Sequence, residues 1–311
     1  MANDTISILI KNLKDEKSTA IQETLHRIAD INTNLLIYGE TGVGKDVWVE
    51  YLYRIGPFEK MVNLNCGDVP ETLLESEWFG YRKGAFTGAD RDYEGKWKQA
   101  EGGILFLNQI DLLSLNIQAK LLRIIERKKY FPLGSNREMD FDVRFVFSAD
   151  GDIERKVREG KFREDLFYRI SAYRIEVPPL RERKKDIFPL FMFFAQRKGL
   201  EVMLGSEARR VLSDYYWRGN IRELENFVTN LSISGGGRSV TDDDIYPLLR
   251  TSEDFIHTVK HREMSLEELE REYIRYLLKK YRNKTRVARI LGIARKSLYN
   301  KLSSYEGESK K

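Results

Sequence analysis

Eight consecutive residues, Gly39-Glu40-Thr41-Gly42-Val43-Gly44-Lys45-Asp46, carry the plainest chemistry in this chain. Glycines let a backbone turn so that several N–H groups converge on one anion, and a lysine closing the run adds a point charge. Where such a loop joins a strand to a helix, the helix N-terminus adds its partial positive charge at the same spot. The chemistry served is phosphate binding, with Lys45 near the terminal groups. One position departs from the usual pattern: a Ser or Thr normally follows the lysine, and Asp46 stands there.

A second group of candidate residues lies near the other end. Residues 260–311 hold fifteen Lys and Arg against seven Asp and Glu, with no acid between positions 279 and 301. The preceding chain is slightly acidic, so the overall charge of +5 hides a basic tail. A solvated helix face or a disordered tail could carry such a block. Here it coincides with helical patterning, which favours a phosphate-binding surface. Residues 283–302 read as two short helices, 285–291 and 295–302, around Gly292-Ile293, with small Ala288 permitting close crossing. Lys284, Arg286, Arg295, Lys296, Ser297, Tyr299 and Asn300 are the side chains that could meet bases or phosphates in a major groove.

Elements must hold these groups in place. Residues 34–38 read as a short buried strand leading into the glycine loop, and the apolar runs 104–107 and 143–147 as two more buried strands. Helical segments, including 117–127, lie between them, so the α/β class with a parallel sheet covered on both faces is expected. From 185 to about 249 the pattern is helical throughout, a small all-helical subdomain. Residues 250–263 are polar and aperiodic, a linker. Ser265 followed by Glu268 is a capping-box signature. The helix it opens carries Leu266, Leu269, Tyr273, Leu277 and Tyr281 on or near one face, a dimer seam or a core stripe. The expected division is 1–185, 186–249, the 250–263 linker, 264–303, and a tail at 304–311. No apolar run is long enough for a bilayer, the N-terminus lacks a basic patch before an apolar stretch, and the single cysteine, Cys66, can form no internal disulfide. These point to a cytoplasmic protein, with Cys66 a small packing residue.

The glycine loop resembles the Gly-Glu-x-Gly-x-Gly-Lys-Glu form of the sigma-54-dependent activators, or bacterial enhancer-binding proteins, with Asp46 in place of the last Glu. The resemblance runs from about Ala20 to Leu302. Its most specific element is Gly84-Ala85-Phe86-Thr87-Gly88-Ala89, preceded by Glu75-Ser76-Glu77-Trp78-Phe79-Gly80. It implies an AAA+ P-loop NTPase with a helical lid and a C-terminal all-α Fis-type helix-turn-helix domain. ATP with Mg²⁺ would bind the loop, and the 84–89 hexapeptide would engage the sigma-54 factor of RNA polymerase. Tail dimers would hold double-stranded DNA at enhancer-like sites, and the motors would form a ring, a hexamer by resemblance.

The same resemblance assigns further roles and exposes departures. Asn65 matches the family's switch asparagine. The strand that ends Leu-Phe-Leu-Asp-Glu in the family reads Leu105-Phe106-Leu107-Asn108-Gln109 here. The aspartate normally helps hold Mg²⁺ and the glutamate polarises the attacking water. Asn108 brings the metal an oxygen without charge, and Gln109 cannot act as a base, a loss worth about 10²–10⁴ in rate. The sensor Ala-Thr-Asn becomes Ser148-Ala149-Asp150, which sets a carboxylate near the terminal phosphate. Arg163 and Arg169 match arginines that reach a neighbouring subunit's nucleotide, and Arg222 the lid's sensor arginine. Arg218 replaces a common proline, and Ala294 a Ser or Thr that would better cap the second tail helix. Two functions follow: an ATP-driven activator that remodels sigma-54 polymerase, or an ATP-binding regulator with impaired hydrolysis, acting by binding alone or within a mixed ring. A replication-initiator or helicase-loader protein would share the glycine loop but has no reason to carry the hexapeptide. No receiver domain precedes the motor, which points to regulation in trans or a shortened chain.

Overall fold

The computed structural model describes residues 2–68, 70–234, 239–248, 265–281 and 283–308, and the chain divides into two compact units, Met1–Asp242 and Asp243–Lys311. The 250–263 linker expectation falls outside the described residues.

Three apolar runs become the middle of a five-stranded sheet because each is buried on both faces. They are β1 (Leu35–Tyr38), β3 (Ile104–Asn108) and β6 (Arg144–Ala149); β2 (Met61–Asn65) and β7 (Tyr173–Glu176) complete it. The order is β2-β3-β6-β1-β7, every pair parallel. Successive side chains on a strand point to opposite faces, and the core divides accordingly. Leu35, Ile37, Ile104 and Phe106 join one cluster with Trp48, Val49 and Leu52 of helix α3 (Lys45–Ile55) and with α1 (Ala2–Asn12) and α2 (Glu16–Ile28). Leu36, Leu105, Leu107 and Phe147 join the other, against α4 (Glu71–Phe79), α5 (Lys96–Gln99), α6 (Leu115–Arg127), α7 (Ile153–Arg158) and α8 (Glu164–Ile170). The edge strands β2 and β7 were not assigned from the sequence. Each is only partly buried and mixes polar with apolar residues, so neither forms a continuous apolar run.

Between α6 and β6, strands β4 (Lys129–Tyr130) and β5 (Met139–Asp140) pair antiparallel. Beyond β7, helices α9 (Lys184–Arg197), α10 (Ser206–Asp214) and α11 (Asn220–Ser234) form the helical part expected from 185 onward, followed by α12 (Asp242–Leu248). Trp217 is buried there, its indole N–H donating to the Leu212 carbonyl at 2.9 Å and its ring edge-on to Phe227.

The second unit is built on α13 (Leu266–Tyr281), α14 (Lys284–Ile290) and α15 (Arg295–Glu308). The capping box forms: Ser265 Oγ accepts from Glu268 N–H at 3.2 Å, and the Glu268 carboxylate accepts from Ser265 N–H at 2.9 Å. Asn283 caps α14 by accepting from Arg286 N–H, and Gly292, at φ 69, makes the turn into α15. Ile274, Leu277, Val287, Ala288, Leu298 and Tyr305 are the core. The stripe expected on α13 therefore splits: Leu277 and Tyr281 pack inward, while Leu266 and Tyr273 are exposed. Helix α15 runs beyond 302 because burial of Tyr305 rewards the extra turn.

Candidate functional site

The glycine loop leaves β1 and ends at Gly44, whose left-handed φ of 90 starts α3. Gly42 is also left-handed, at φ 80, and a Cβ there would lie 2.4 Å from the Gly219 carbonyl oxygen. Only glycine fits, because the lid's Gly219 turn sits directly on the loop. The Lys45 ammonium folds inward, donating to the carbonyls of Gly39 at 2.7 Å and Glu40 at 3.1 Å. Burial pulls its pKa down, and Asp150, with Oδ1 3.5 Å away, opposes the shift. Thr41 Oγ donates to the same Asp150 oxygen at 3.1 Å.

Two openings meet around these groups. A recess of about 90 Å³ is lined by residues 41–46 with Asn108, Gln109, Asp150 and Arg222. A wider groove of about 540 Å³ is lined by Gly39, Glu40, Thr41, Asp150, Gly151 and the arginines 181 and 218, among others. Thr41 and Asp150 line both. A recess lined by the glycine loop, the start of α3 and a mostly buried lysine, opening onto a groove, suits a phosphate chain carrying a larger group.

The lid holds the loop through residues that sequence reasoning did not single out. Asn220 is fully buried at φ 55; its amide donates to the Thr41 carbonyl at 3.0 Å and the Glu40 carboxylate at 3.1 Å, and its oxygen accepts from Leu180 N–H at 2.8 Å. Arg181 grips the Glu40 carboxylate with two nitrogens, at 2.5 and 2.8 Å, and stacks over Tyr216. That pairing holds the Glu40 carboxyl below its ordinary range. Arg183 donates to the Val43 carbonyl at 2.6 Å. Arg181 and Arg183 lie just before α9, and Asn220 lies between Arg218 and Arg222 at the start of α11; their roles come from contacts with a loop 140 to 180 residues away in sequence.

At the end of β3, Asn108 Oδ1 accepts the Ser148 hydroxyl, which in turn accepts from Gln109 N–H at 3.0 Å. Gln109 is left-handed at φ 57. Asn65 pairs in register with Asn108, and a Cβ built on Gly67 would meet Gln109 Oε1 at 3.1 Å and Asn65 Oδ1 at 3.7 Å. The three amides thus stand together at one sheet end. The nearest buried carboxylate beyond them, Asp111, is bound to Lys156 at 2.5 Å and accepts from Asp150 N–H. Among the described residues no group of three or more His, Cys, Asp or Glu could hold a metal alone. The recess offers hard oxygens from Asp46, Asp150 and the amides, which suit a Mg²⁺ arriving on phosphates rather than a resident ion. Arg163 is paired with Asp165 at 2.6 Å, Arg169 is exposed, and neither lines this recess.

The hexapeptide tips a separate surface loop. Gly84 and Gly88 are left-handed at φ 83 and 100, and Gly84 N–H donates to the Ala89 carbonyl at 2.9 Å, closing the tip. Ala89 is buried and Thr87 exposed; Phe86 is 44% exposed, its ring edge-on to Tyr81 at 4.9 Å. Tyr81 bridges to Tyr93 and to Leu133, and Asp92 fastens the stem through Arg82 and Lys83 N–H.

Residues 12–176 match the family described as the Sigma-54 interaction domain, and residues 181–262 the AAA+ ATPase lid domain. The chain belongs to the sigma-54-dependent activators. Residues 265–305 further match the bacterial regulatory protein Fis family. Similar proteins include the transcriptional regulatory protein ZraR of Klebsiella oxytoca, 38% identical over 91% of this chain and 66% of that protein. The Nif-specific regulatory protein of Azospirillum brasilense is 40% identical over 67% of this chain and 34% of its own length. The chain thus spans about a third to two thirds of these relatives. Among solved structures, NtrX from Brucella abortus in complex with ADP aligns with a TM-score of 0.68 at 28% identity, covering 94% of this chain and 68% of NtrX. NtrX has also been solved in complex with ATP.

The Fis-type tail leaves the side chains expected to meet DNA on its surface. Lys284, Arg286, Arg295, Lys296, Ser297, Tyr299 and Asn300 are all solvent-accessible. Lys284 Nζ and the Arg295 guanidinium lie over the Tyr299 ring at 4.6 and 5.7 Å, and the Arg295 hydrogen bond with Lys284 beside it lowers the Tyr299 pKa. Arg286 lies over Tyr281. No helix among the described residues is long and apolar enough to cross a membrane.

Proposed function

We propose that this chain is a DNA-bound regulator of sigma-54 transcription that binds ATP in the recess around Lys45 but hydrolyses it slowly by itself. The observation that carries the slow-hydrolysis reading is the chemistry at the end of β3, where Asn108 and Gln109 line the recess and the Asn108 oxygen is already engaged by Ser148. A Mg²⁺ bound with the nucleotide would neutralise phosphate charge; of the residues lining the recess, Asn108 would offer it a neutral oxygen and Asp46 a charged one. Backbone N–H groups of residues 41–45 and the α3 N-terminus orient the phosphates, and Lys45 neutralises them. Gln109 holds a water by hydrogen bonding but takes no proton from it, so the attacking oxygen keeps both hydrogens until late.

Other parts of the chain retain what an activator needs. Phe86 and Thr87, displayed on a glycine-hinged tip, supply the contact with the sigma-54 factor and through it RNA polymerase. The tail surface grips double-stranded DNA, its dimer bringing two such surfaces to enhancer-like sites. Arg163 and Arg169, lying away from their own recess, complete a neighbour's site when the motors assemble into a ring, hexameric in the family. NtrX was crystallised with ADP and with ATP, which supports nucleotide binding here. The motor comprises 1–185 and the lid 186–249, with the DNA-binding domain at 264–303.

Steady-state ATP hydrolysis by the full chain, alone and with Asn108→Asp plus Gln109→Glu, tests the proposal. The parent should turn over slowly and the double variant at least ~10²-fold faster, the lower end of what a general base contributes. Brisk turnover by the parent would overturn the slow-hydrolysis reading and leave an ATP-driven activator.

A further inference from the structure

Asp150 stands at the junction of the recess and the groove, lining both. It follows directly on β6, and the sheet order sets β6 beside β1, with Tyr38 opposite Ala149, so the residue after β6 must face the loop after β1. Its Oδ1 lies 3.5 Å from the Lys45 ammonium and accepts the Thr41 hydroxyl at 3.1 Å; its own N–H is held by Asp111 at 3.3 Å. One carboxylate oxygen is thus held by both Thr41 and Lys45, and the backbone that carries it is anchored by Asp111. Lys45 is mostly buried, and Asp150 is the only carboxylate that forms an ion pair with it among the described residues. A phosphate chain reaching from groove to recess would run beside this carboxylate and compete with it for the lysine.

We propose that Asp150 is a charge filter: a half-exposed anion of the chain's own, at the junction of recess and groove, that competes with bound phosphate for Lys45 and biases the site toward nucleoside diphosphate over triphosphate. The proposal rests on the nucleotide-binding reading above. Each added phosphate brings further negative charge toward a fixed negative group, so repulsion grows with phosphate number, while an amide at the same place would repel neither nucleotide. Thr41 strengthens the filter by holding the carboxylate beside the lysine instead of letting it swing into solvent.

The test is calorimetric titration of the full chain with ADP and with ATP, each with Mg²⁺ and with a chelator, for the parent, Asp150→Asn and Asp150→Ser. Thermal melts without nucleotide check that each variant is folded. Removing the charge should tighten ATP by about fivefold or more and ADP by about twofold or less, with the larger gap in chelator, where no metal masks the phosphates. Two variants of different size giving the same selectivity change would assign it to charge. Equal tightening of both nucleotides, or no change in either, would overturn the filter while leaving nucleotide binding intact. If neither the parent nor the folded variants bound any nucleotide, the binding reading itself would fall, and the filter with it.

Discussion

Asn220 is a single side chain whose loss should be felt both in stability and in the nucleotide site. It is fully buried, sits at φ 55, and ties the Leu180 N–H, the Thr41 carbonyl and the Glu40 carboxylate to one point of the lid. Asn220→Ala removes these three hydrogen bonds at about 1 kcal/mol each, along with a long, weak one to the Arg218 carbonyl at 3.4 Å, and leaves Leu180 N–H buried without its Asn220 partner. Alanine in the left-handed region adds about 1 kcal/mol, so the expected loss is about 4 kcal/mol. Asn220→Gly loses the same bonds but tolerates the backbone, and should lose about 3 kcal/mol. All four tryptophans (48, 78, 97 and 217) lie in the Met1–Asp242 unit, so urea unfolding followed by tryptophan emission reports that unit and not the tail. Nucleotide affinity should weaken in both variants, because the loop's carbonyls lose their external anchor. A loss below about 1.5 kcal/mol in the alanine variant would refute the clamp, since even two typical hydrogen bonds exceed it. Equal losses for alanine and glycine would refute the contribution of the left-handed backbone.

Lys45→Ala should abolish nucleotide binding by calorimetry, because the other cation lining the recess, Arg222, approaches from the lid and not from the loop; affinity equal to the parent's would move the site elsewhere. Thr87→Ala should leave nucleotide and DNA binding intact while removing nucleotide-dependent association with the sigma-54 factor in a pull-down, and association at the parental level would separate the hexapeptide from that contact. Arg295→Ala with Lys296→Ala should weaken DNA binding and flatten the plot of log affinity against log salt by about 2, one unit for each lost phosphate contact. An unchanged slope would place both cations off the backbone.

Much of this architecture could be read from local signals, and the misses share a cause. Strands β1, β3 and β6 were legible because burial on both faces leaves a continuous apolar run. β2 and β7, at the sheet edges, carry no such run. The glycine loop and the hexapeptide were legible because they combine rare residue types at fixed spacing, and glycine is nearly obligatory where φ is positive. Asn220 was not, although its segment was: a left-handed, fully buried asparagine looks like any lid residue until Leu180, Thr41 and Glu40 surround it. Lys45 and Asp150 were both expected near the terminal phosphate through the resemblance, but their direct pairing follows only from the β6–β1 adjacency. In the tail, the helix end at 302 was placed early because the sequence does not announce that Tyr305 finds a core to enter.

The amides at 108 and 109 and the carboxylate at 150 are best understood as one change in charge. Lys45 and Arg222 line the recess with Asp46 and Asp150, two cations against two carboxylates. Restoring Asp at 108 and Glu at 109 would set four carboxylates against the same two cations. The restored base should speed chemistry, yet the recess should then receive a triphosphate less readily, since like charges in a partly buried site raise each other's cost. Asn108→Asp with Gln109→Glu is therefore expected to raise the maximal rate while also raising the ATP concentration needed for half-saturation. Adding Asp150→Asn should bring that concentration back down without lowering the maximal rate. Steady-state kinetics of the parent, double and triple variants across a range of ATP separates the two effects. A triple variant with the same half-saturation as the double would show that Asp150 does not oppose phosphate binding. A triple variant with a much lower maximal rate would show instead that the Asp150 carboxylate takes part in the chemistry, as a base standing in for the missing one.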